Sequence, residues 1–142
     1  MQTFLPYAGF ADSAGVLDDV RLGKQRVEAY QILRSLLGIT QGWRHHPAVK
    51  MWREHTDALV DYGVAMCLEW TNRGRADTVA QKLRELRGAG SAVLPAWFGN
   101  DAFHASHRSN LLRKDPEWYG RFGWVEPPDL PYVWPGSNTI PQ

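Results

Sequence analysis

Arg21, Lys24, Glu28, Gln31 and Ser35 recur three or four residues apart in LDDVRLGKQRVEAYQILRS, so on a helix they form one narrow polar stripe. Leu22, Ala29, Ile32, Leu33 and Leu36 make the opposing apolar face. The plain reading of the stripe is a solvated surface in which Lys24 and Glu28 form one i,i+4 pair worth about 0.2 to 0.5 kcal/mol. The chemical reading is a carboxylate held among cations. Such a group stabilises a developing positive charge, or accepts a proton where water is excluded.

A second constellation lies in GWRHHPAVKMW, where Arg44, His45 and His46 stand directly before Pro47. Backbone N–H groups at a helix start face an arriving anion, and a phosphate suits that place. Equally, one of the two histidines can serve only as a local hydrogen-bond partner there. His104 and His107, three apart, share a helix face, but no Cys pair or His-Glu motif accompanies them and no metal is expected. No serine sits in a strand-turn-helix elbow, and the glycines of GAGSAV lack a following Lys-Ser or Lys-Thr. Hydrolase triads and nucleotide-dependent chemistry therefore rank low, and no cofactor is expected.

The elements that must carry these residues read as helices, giving an all-α, compact helical bundle. Asp12 and Ser13 can cap a short helical turn, and Asp18 or Asp19 a helix running to about residue 37 and stopped by Gly38. Pro47 suits the first turn of a long helix to about residue 72, with Met51, Trp52, His55, Leu59, Tyr62, Met66 and Trp70 on one core stripe. His55 on that stripe reads as a satisfied core histidine. Further helices are expected over about 77–87 and 101–114, separated by the turn-rich GAGSAVLPAWFGN. The Pro-rich end, about 125–142, can only wrap or dangle.

Composition narrows the partners. A chain of 142 residues suits one domain spanning 1–142 with its own core. The single cysteine, Cys67, excludes a disulfide framework, reads as a small core residue, and fits a cytoplasmic protein. No secretory n-region or run of 18 apolar residues is present, so no membrane partner is expected. Lys and Arg number 16 against 15 Asp and Glu, so any nucleic-acid binding must use a local basic face rather than a whole-protein field.

Three stretches in order resemble the pyrimidine dimer DNA glycosylase family of the endonuclease V type. Leu17, Asp18, Leu22, Glu28 and Gln31 resemble its first long helix, Trp43, Arg44, His45, His46 and Pro47 its aromatic-basic-x-His-Pro loop, and Leu111, Lys114, Asp115, Pro116 and Tyr119 its C-terminal element. The resemblance implies a helical domain that removes a damaged base from DNA and can then nick the strand; a monomer is expected. It implies that the α-amino group of the first residue attacks the sugar while Glu28 stabilises the cationic intermediate. An α-amino group is a weaker base than a lysine, so more of it is free to attack at neutral pH. Gln2 is bulky and disfavours removal of Met1, which leaves Met1 as the expected nucleophile. Arg21, Lys24 and Arg26 are then candidates for phosphate contacts, with Gln31, Arg44, His45, His46 and His107 as further substrate contacts. The position before Glu28, where the family often has Arg, is Val27.

Two other classes stay open at this level. One is a non-catalytic nucleic-acid-binding module using Arg44, Arg108 and exposed tryptophans. The other is a small-molecule enzyme using Glu28, Lys24 and His46 as acid and base in a pocket closed by LPAWFGN.

Overall fold

The computed structural model describes residues 1–135. Its helices are α1 (Phe10–Val16), α2 (Asp19–Leu36), α3 (Pro47–Lys50), α4 (Thr56–Asn72), α5 (Val79–Glu85), α6 (Asp101–Lys114) and α7 (Pro116–Tyr119), followed by a 3-10 turn, Gly120–Phe122. No strand occurs among the described residues.

Asp18 caps α2 by accepting the Arg21 N–H at 3.3 Å. Leu22, Ala29, Ile32 and Leu33 of its apolar face are fully buried, and the face packs on α4. The two helices meet tightly at Ala29 and Gly63. A Cβ built on Gly63 would sit 3.0 Å from that of Ala29 and 2.7 Å from a Leu83 methyl, so only glycine lets α2, α4 and α5 meet there.

The single long helix expected from Pro47 is broken in two. In an unbroken helix the Met51 carbonyl would accept from the N–H of residue 55. Here it accepts the Trp97 indole N–H at 3.0 Å, and the His55 N–H turns to Trp52 O at 2.9 Å. Glu54 then takes a left-handed φ of 66°, and α4 starts afresh. His55 is half-buried at the α4 N-cap, its Nδ1 3.0 Å from Val93 O, so it is satisfied at the core's edge rather than inside it. α1 is capped by Gly9 rather than by Asp12 or Ser13, and the Ser13 hydroxyl instead closes onto Tyr7. α5 is shorter than expected: Asp77 stays outside it and accepts the Ala80 N–H at 2.9 Å, and at the far end the Leu86 and Arg87 N–H groups turn to carbonyls three residues back, at 3.1 and 3.2 Å.

The N-terminal segment is irregular, as expected, but its residues 2–6 are buried within the helices, which was not expected. Their backbone is satisfied by side chains instead of by a neighbouring strand. The Gln2 carbonyl accepts from Gln25 Nε2 at 2.9 Å, and the Phe4 N–H donates to Gln25 Oε1 at 2.8 Å. The Tyr62 hydroxyl donates between Phe4 O, at 2.9 Å, and Gln25 Oε1, at 2.5 Å. On α6, His107 Nδ1 accepts the Leu5 N–H at 2.9 Å, His104 Nδ1 lies 2.8 Å from Leu5 O, and Arg108 donates to Pro6 O at 2.7 Å. The Trp52 indole N–H donates to Thr3 Oγ1 at 3.1 Å.

The Pro-rich end wraps as far as it is described. Ser109 and Ser106 hydroxyls accept the Leu130 and Val133 N–H groups at 2.9 and 3.1 Å, which lays this strap along α6. The rest of the expected tail lies outside the described residues.

The two α6 histidines set an acid limit on this fold. Burial drives the His107 pKa down to about 3, with the charge of His104 adding to the effect. A group whose folded pKa is depressed below its ordinary value of 6.5 takes up protons preferentially on unfolding, so stability falls as pH drops below about 6.5 and continues to fall toward 3. The slope approaches about 1.4 kcal/mol per pH unit for His107 alone. Urea unfolding at pH 7.5 and pH 5 should therefore differ by about 2 kcal/mol, and a His107→Asn variant should lose most of that difference.

Candidate active site

α2 delivers Arg21, Lys24, Gln25 and Glu28 to one wall of a cleft of about 350 Å³, and the buried N-terminal segment delivers Met1, Gln2 and Phe4 to another. Val20 of α2, Lys114 at the end of α6, and Tyr132 and Trp134 of the strap complete it. The volume lies at the small end of ligand-binding pockets. Pockets of this kind hold a few convergent polar groups, and here these are one carboxylate, three cationic side chains and two carboxamides.

Glu28 is fixed from both sides. Its Oε2 accepts the Gln2 N–H at 3.2 Å and Gln25 Nε2 at 3.2 Å. Gln25, only 2% exposed, thus spends every polar atom on the N-terminal segment, Tyr62 and Glu28. Burial raises the Tyr62 pKa well above its ordinary value and the nearby Glu28 charge adds to this, so Tyr62 remains a phenol and a donor. His46 stands beside this centre. Burial lowers its pKa, and the charge of the N-terminal ammonium lowers it further while Glu28 opposes both. Its Nδ1 accepts the Ala48 N–H at 3.0 Å, so a neutral His46 carries its proton on Nε2.

The polar stripe of α2 therefore divides. Arg21, Lys24 and Glu28 face the cleft, Gln31 lies on an adjoining groove with Val27 and Trp70, and the buried Ser35 donates to Gly42 O at 2.8 Å to hold the following loop. Arg21 is half-committed, with one nitrogen 3.1 Å from the Asp18 carboxylate. Lys24 and Lys114 enter no ion pair among the described residues.

Several expected contacts are placed elsewhere. Arg26 is clamped to Asp77 at 2.5 and 2.8 Å and stacks 4.7 Å from the Trp70 ring, so its charge is spent within the protein. His107 is fully buried against Leu5, out of reach of an arriving ligand. Arg44 and His45 are exposed on the loop before α3, Arg44 bonding Gln41 at 3.1 Å. The anion-binding helix start expected there is filled by the His46 ring itself. Arg108 is taken up by Glu126 and Pro6. Among the described residues no cluster of three His, Cys, Asp or Glu is arranged for a metal ion. Burial, reinforced by Asp77, pushes the Cys67 thiol up to about 12, which leaves it inert.

Gln2, Gln25, Lys114, Tyr132 and Trp134 were not singled out as site residues by sequence pattern. Gln25 carried one signal, a carboxamide beside the apolar face of α2 where a core side chain belongs. The third sequence element does contribute to the site. Tyr119 hydrogen-bonds the Asp18 carboxylate, and its oxygen accepts the Asp18 N–H at 3.1 Å. That pair fixes the start of α2, and with it the height at which Arg21, Lys24 and Glu28 enter the cleft.

A family model described as pyrimidine dimer DNA glycosylase matches residues 1–83. The chain belongs to this family. The family is one of DNA repair glycosylases, and the matched span runs from Met1 through α4 into α5, so it contains Gln2, Gln25, Glu28, His46 and Tyr62. Lys114, Tyr132 and Trp134 lie beyond it. No curated protein and no solved structure gives a significant match. Among the described residues no helix is long and apolar enough to cross a membrane.

The different fates of Arg26 and Lys24 predict separable effects. The Arg26 and Asp77 side chains are 11% and 4% exposed, so Arg26→Met strands a buried carboxylate and should cost about 3 to 5 kcal/mol in urea unfolding. Lys24→Ala should leave stability within about 0.5 kcal/mol.

Proposed function

We propose that this chain excises a damaged base from DNA and then cleaves the strand, with the Met1 α-amine as nucleophile and Glu28 as the group that stabilises the cation. The observation that supports this most is the shared cleft of Met1 and Glu28, whose carboxylate already accepts the N–H of the next residue, Gln2, at 3.2 Å. Among the described residues both hydrogen bonds to the Glu28 carboxylate fall on Oε2, which leaves Oε1 for the reacting sugar.

The steps balance as an amine exchange followed by an elimination. The amine lone pair forms a bond to C1′ as the bond from C1′ to the base breaks, and the departing base leaves with a proton. Glu28 opposes the positive charge that builds on the sugar. Loss of a proton from nitrogen and opening of the ring give a Schiff base between Met1 and C1′. Removal of a C2′ proton then expels the 3′ phosphate, and water returns the amine. Arg21, Lys24 and Lys114 bind the phosphates on either side of the lesion, so a local basic wall replaces a basic whole. Neutral His46 offers its Nε2 proton at the edge of the same site.

The reading is tested with DNA duplexes that each carry one lesion, a thymine dimer or an abasic site among them, scored for base release and strand cleavage. Glu28→Gln should lower base release by about two orders of magnitude or more while duplex affinity is kept. Unchanged turnover would remove Glu28 from the mechanism.

The nucleophile is tested separately by hydride trapping on abasic-site DNA. Wild-type protein should give a covalent adduct, and acetylation of the N-terminus or a short uncleaved extension before Met1 should abolish it. An extended protein that traps as well as the native one would move the nucleophile to an amine such as Lys24.

A further inference from the structure

The loop between α2 and α3 presents an indole that the cleft does not use. Trp43 is 59% exposed, and among the described residues it is the one exposed tryptophan. Its backbone takes a left-handed φ of 63°, a region that favours glycine. A single exposed apolar side chain needs no explanation. A bulky one held in a costly backbone conformation does, because such conformations persist only where their surroundings impose them, and they cluster at ligand-binding sites. Here the loop is pinned before and after the indole. The Ser35 hydroxyl donates to Gly42 O at 2.8 Å, and Trp43 O accepts the His46 N–H at 2.8 Å.

The indole stands near the cleft. Its ring meets the His46 ring edge-on at 5.9 Å between centroids, and His46 in turn meets Trp134, part of the cleft wall, at 6.1 Å. A cationic surface adjoins it. Arg44 follows directly in sequence and lines a cavity of about 500 Å³ together with Arg53, one of whose nitrogens lies 3.4 Å from Arg44 O. Glu54 lines the same cavity, yet neither arginine enters an ion pair among the described residues. A nucleic-acid strand uses both features together, since it offers phosphates to guanidinium groups and flat base faces to an aromatic ring. In an intact duplex those faces are covered by their neighbours. They are open where the stack is interrupted, as beside a damaged or missing base.

We propose that Trp43 is a stacking residue at the rim of the cleft, its indole lying on the base face exposed beside a break in the duplex stack, while Arg44 and Arg53 hold phosphates of the backbone there. The assignment rests on the glycosylase reading for its partner but not on Met1 or Glu28. Trp43 takes no part in bond making. It holds the opened duplex so that the lesion stays at the cleft.

The test compares binding to two duplexes of the same sequence, one intact and one with a tetrahydrofuran abasic analogue that leaves a gap in the stack, by fluorescence anisotropy over a range of salt. Trp43→Gly and Trp43→Asn both remove the indole and suit a φ of 63°, so either serves if the other folds poorly, and Trp43→Phe keeps a smaller ring. Wild-type protein should bind the gapped duplex more tightly. Loss of the indole should remove about tenfold of that preference and Trp43→Phe only about threefold, with the salt dependence unchanged. Arg44→Gln combined with Arg53→Gln should weaken both duplexes alike and lower the salt slope by about one to two.

An unchanged preference in the indole-free variants would overturn the assignment. So would equal losses on the two duplexes, the result expected if Trp43 only steadies His46, or a wild type that binds both duplexes equally. A Trp43-dependent preference without base release from any lesion duplex would instead overturn the glycosylase chemistry and leave the assignment standing.

Discussion

An extended segment placed inside a helical bundle has no strand to pair with, and an unpaired buried peptide group costs about as much as a lost hydrogen bond. Everything about the site follows from how residues 2–6 meet that demand. Gln25 and Glu28 from α2, Tyr62 from α4, and His104, His107 and Arg108 from α6 supply the missing partners. The polar residues of the core are thus an imitation of a sheet edge made from side chains. Gln25 joins this scaffold to the cleft, because the amide that holds Gln2 and Phe4 also holds Glu28.

Electrostatics are arranged by subtraction. The chain is close to neutral, and many of its arginines are neutralised in place: Arg26 by Asp77, Arg73 and Arg75 by Asp19, Arg87 by Asp61 and Arg108 by Glu126. Asp19 is held down to about 2 by its bonds to Arg75 and Arg73, so that pairing persists across the physiological range. Lys24 and Lys114 line the cleft and enter no ion pair among the described residues. A near-zero total charge and a locally cationic surface are therefore compatible, and overall charge is a poor guide to whether such a protein meets nucleic acid.

The helices were legible because their signals are local. Asp18 as the cap of α2, the 101–114 span of α6, and the apolar face from Leu22 to Leu36 depend on spacing within one element. The break after Lys50 was not legible, since the competing partner for the Met51 carbonyl is an indole 46 positions away. Arg26 and Lys24 look equivalent in sequence and differ only because Asp77 arrives from the turn before α5. Glu28 was legible as a carboxylate among cations, whereas Gln2 was hidden: nothing in MQTFLPYAGF marks a segment that leaves the surface, and the side chains that receive it lie on three separate helices.

The clamp on residues 2–6 also fixes an order of events. These residues are synthesised well before the groups that bond Leu5 and Pro6, which lie about a hundred positions downstream on α6. A growing chain can pair α2 with α4 early, through contacts that are nearer in sequence, but its leading segment has no complete seat until α6 has emerged. The cleft wall that holds Met1 and Gln2 is therefore completed only once α6 has emerged. A chain that stops short of α6 carries Glu28 on a formed helix with residues 2–6 untethered, so the wall of the cleft that holds Met1 and Gln2 is a product of the whole fold and not of the helix that bears the carboxylate.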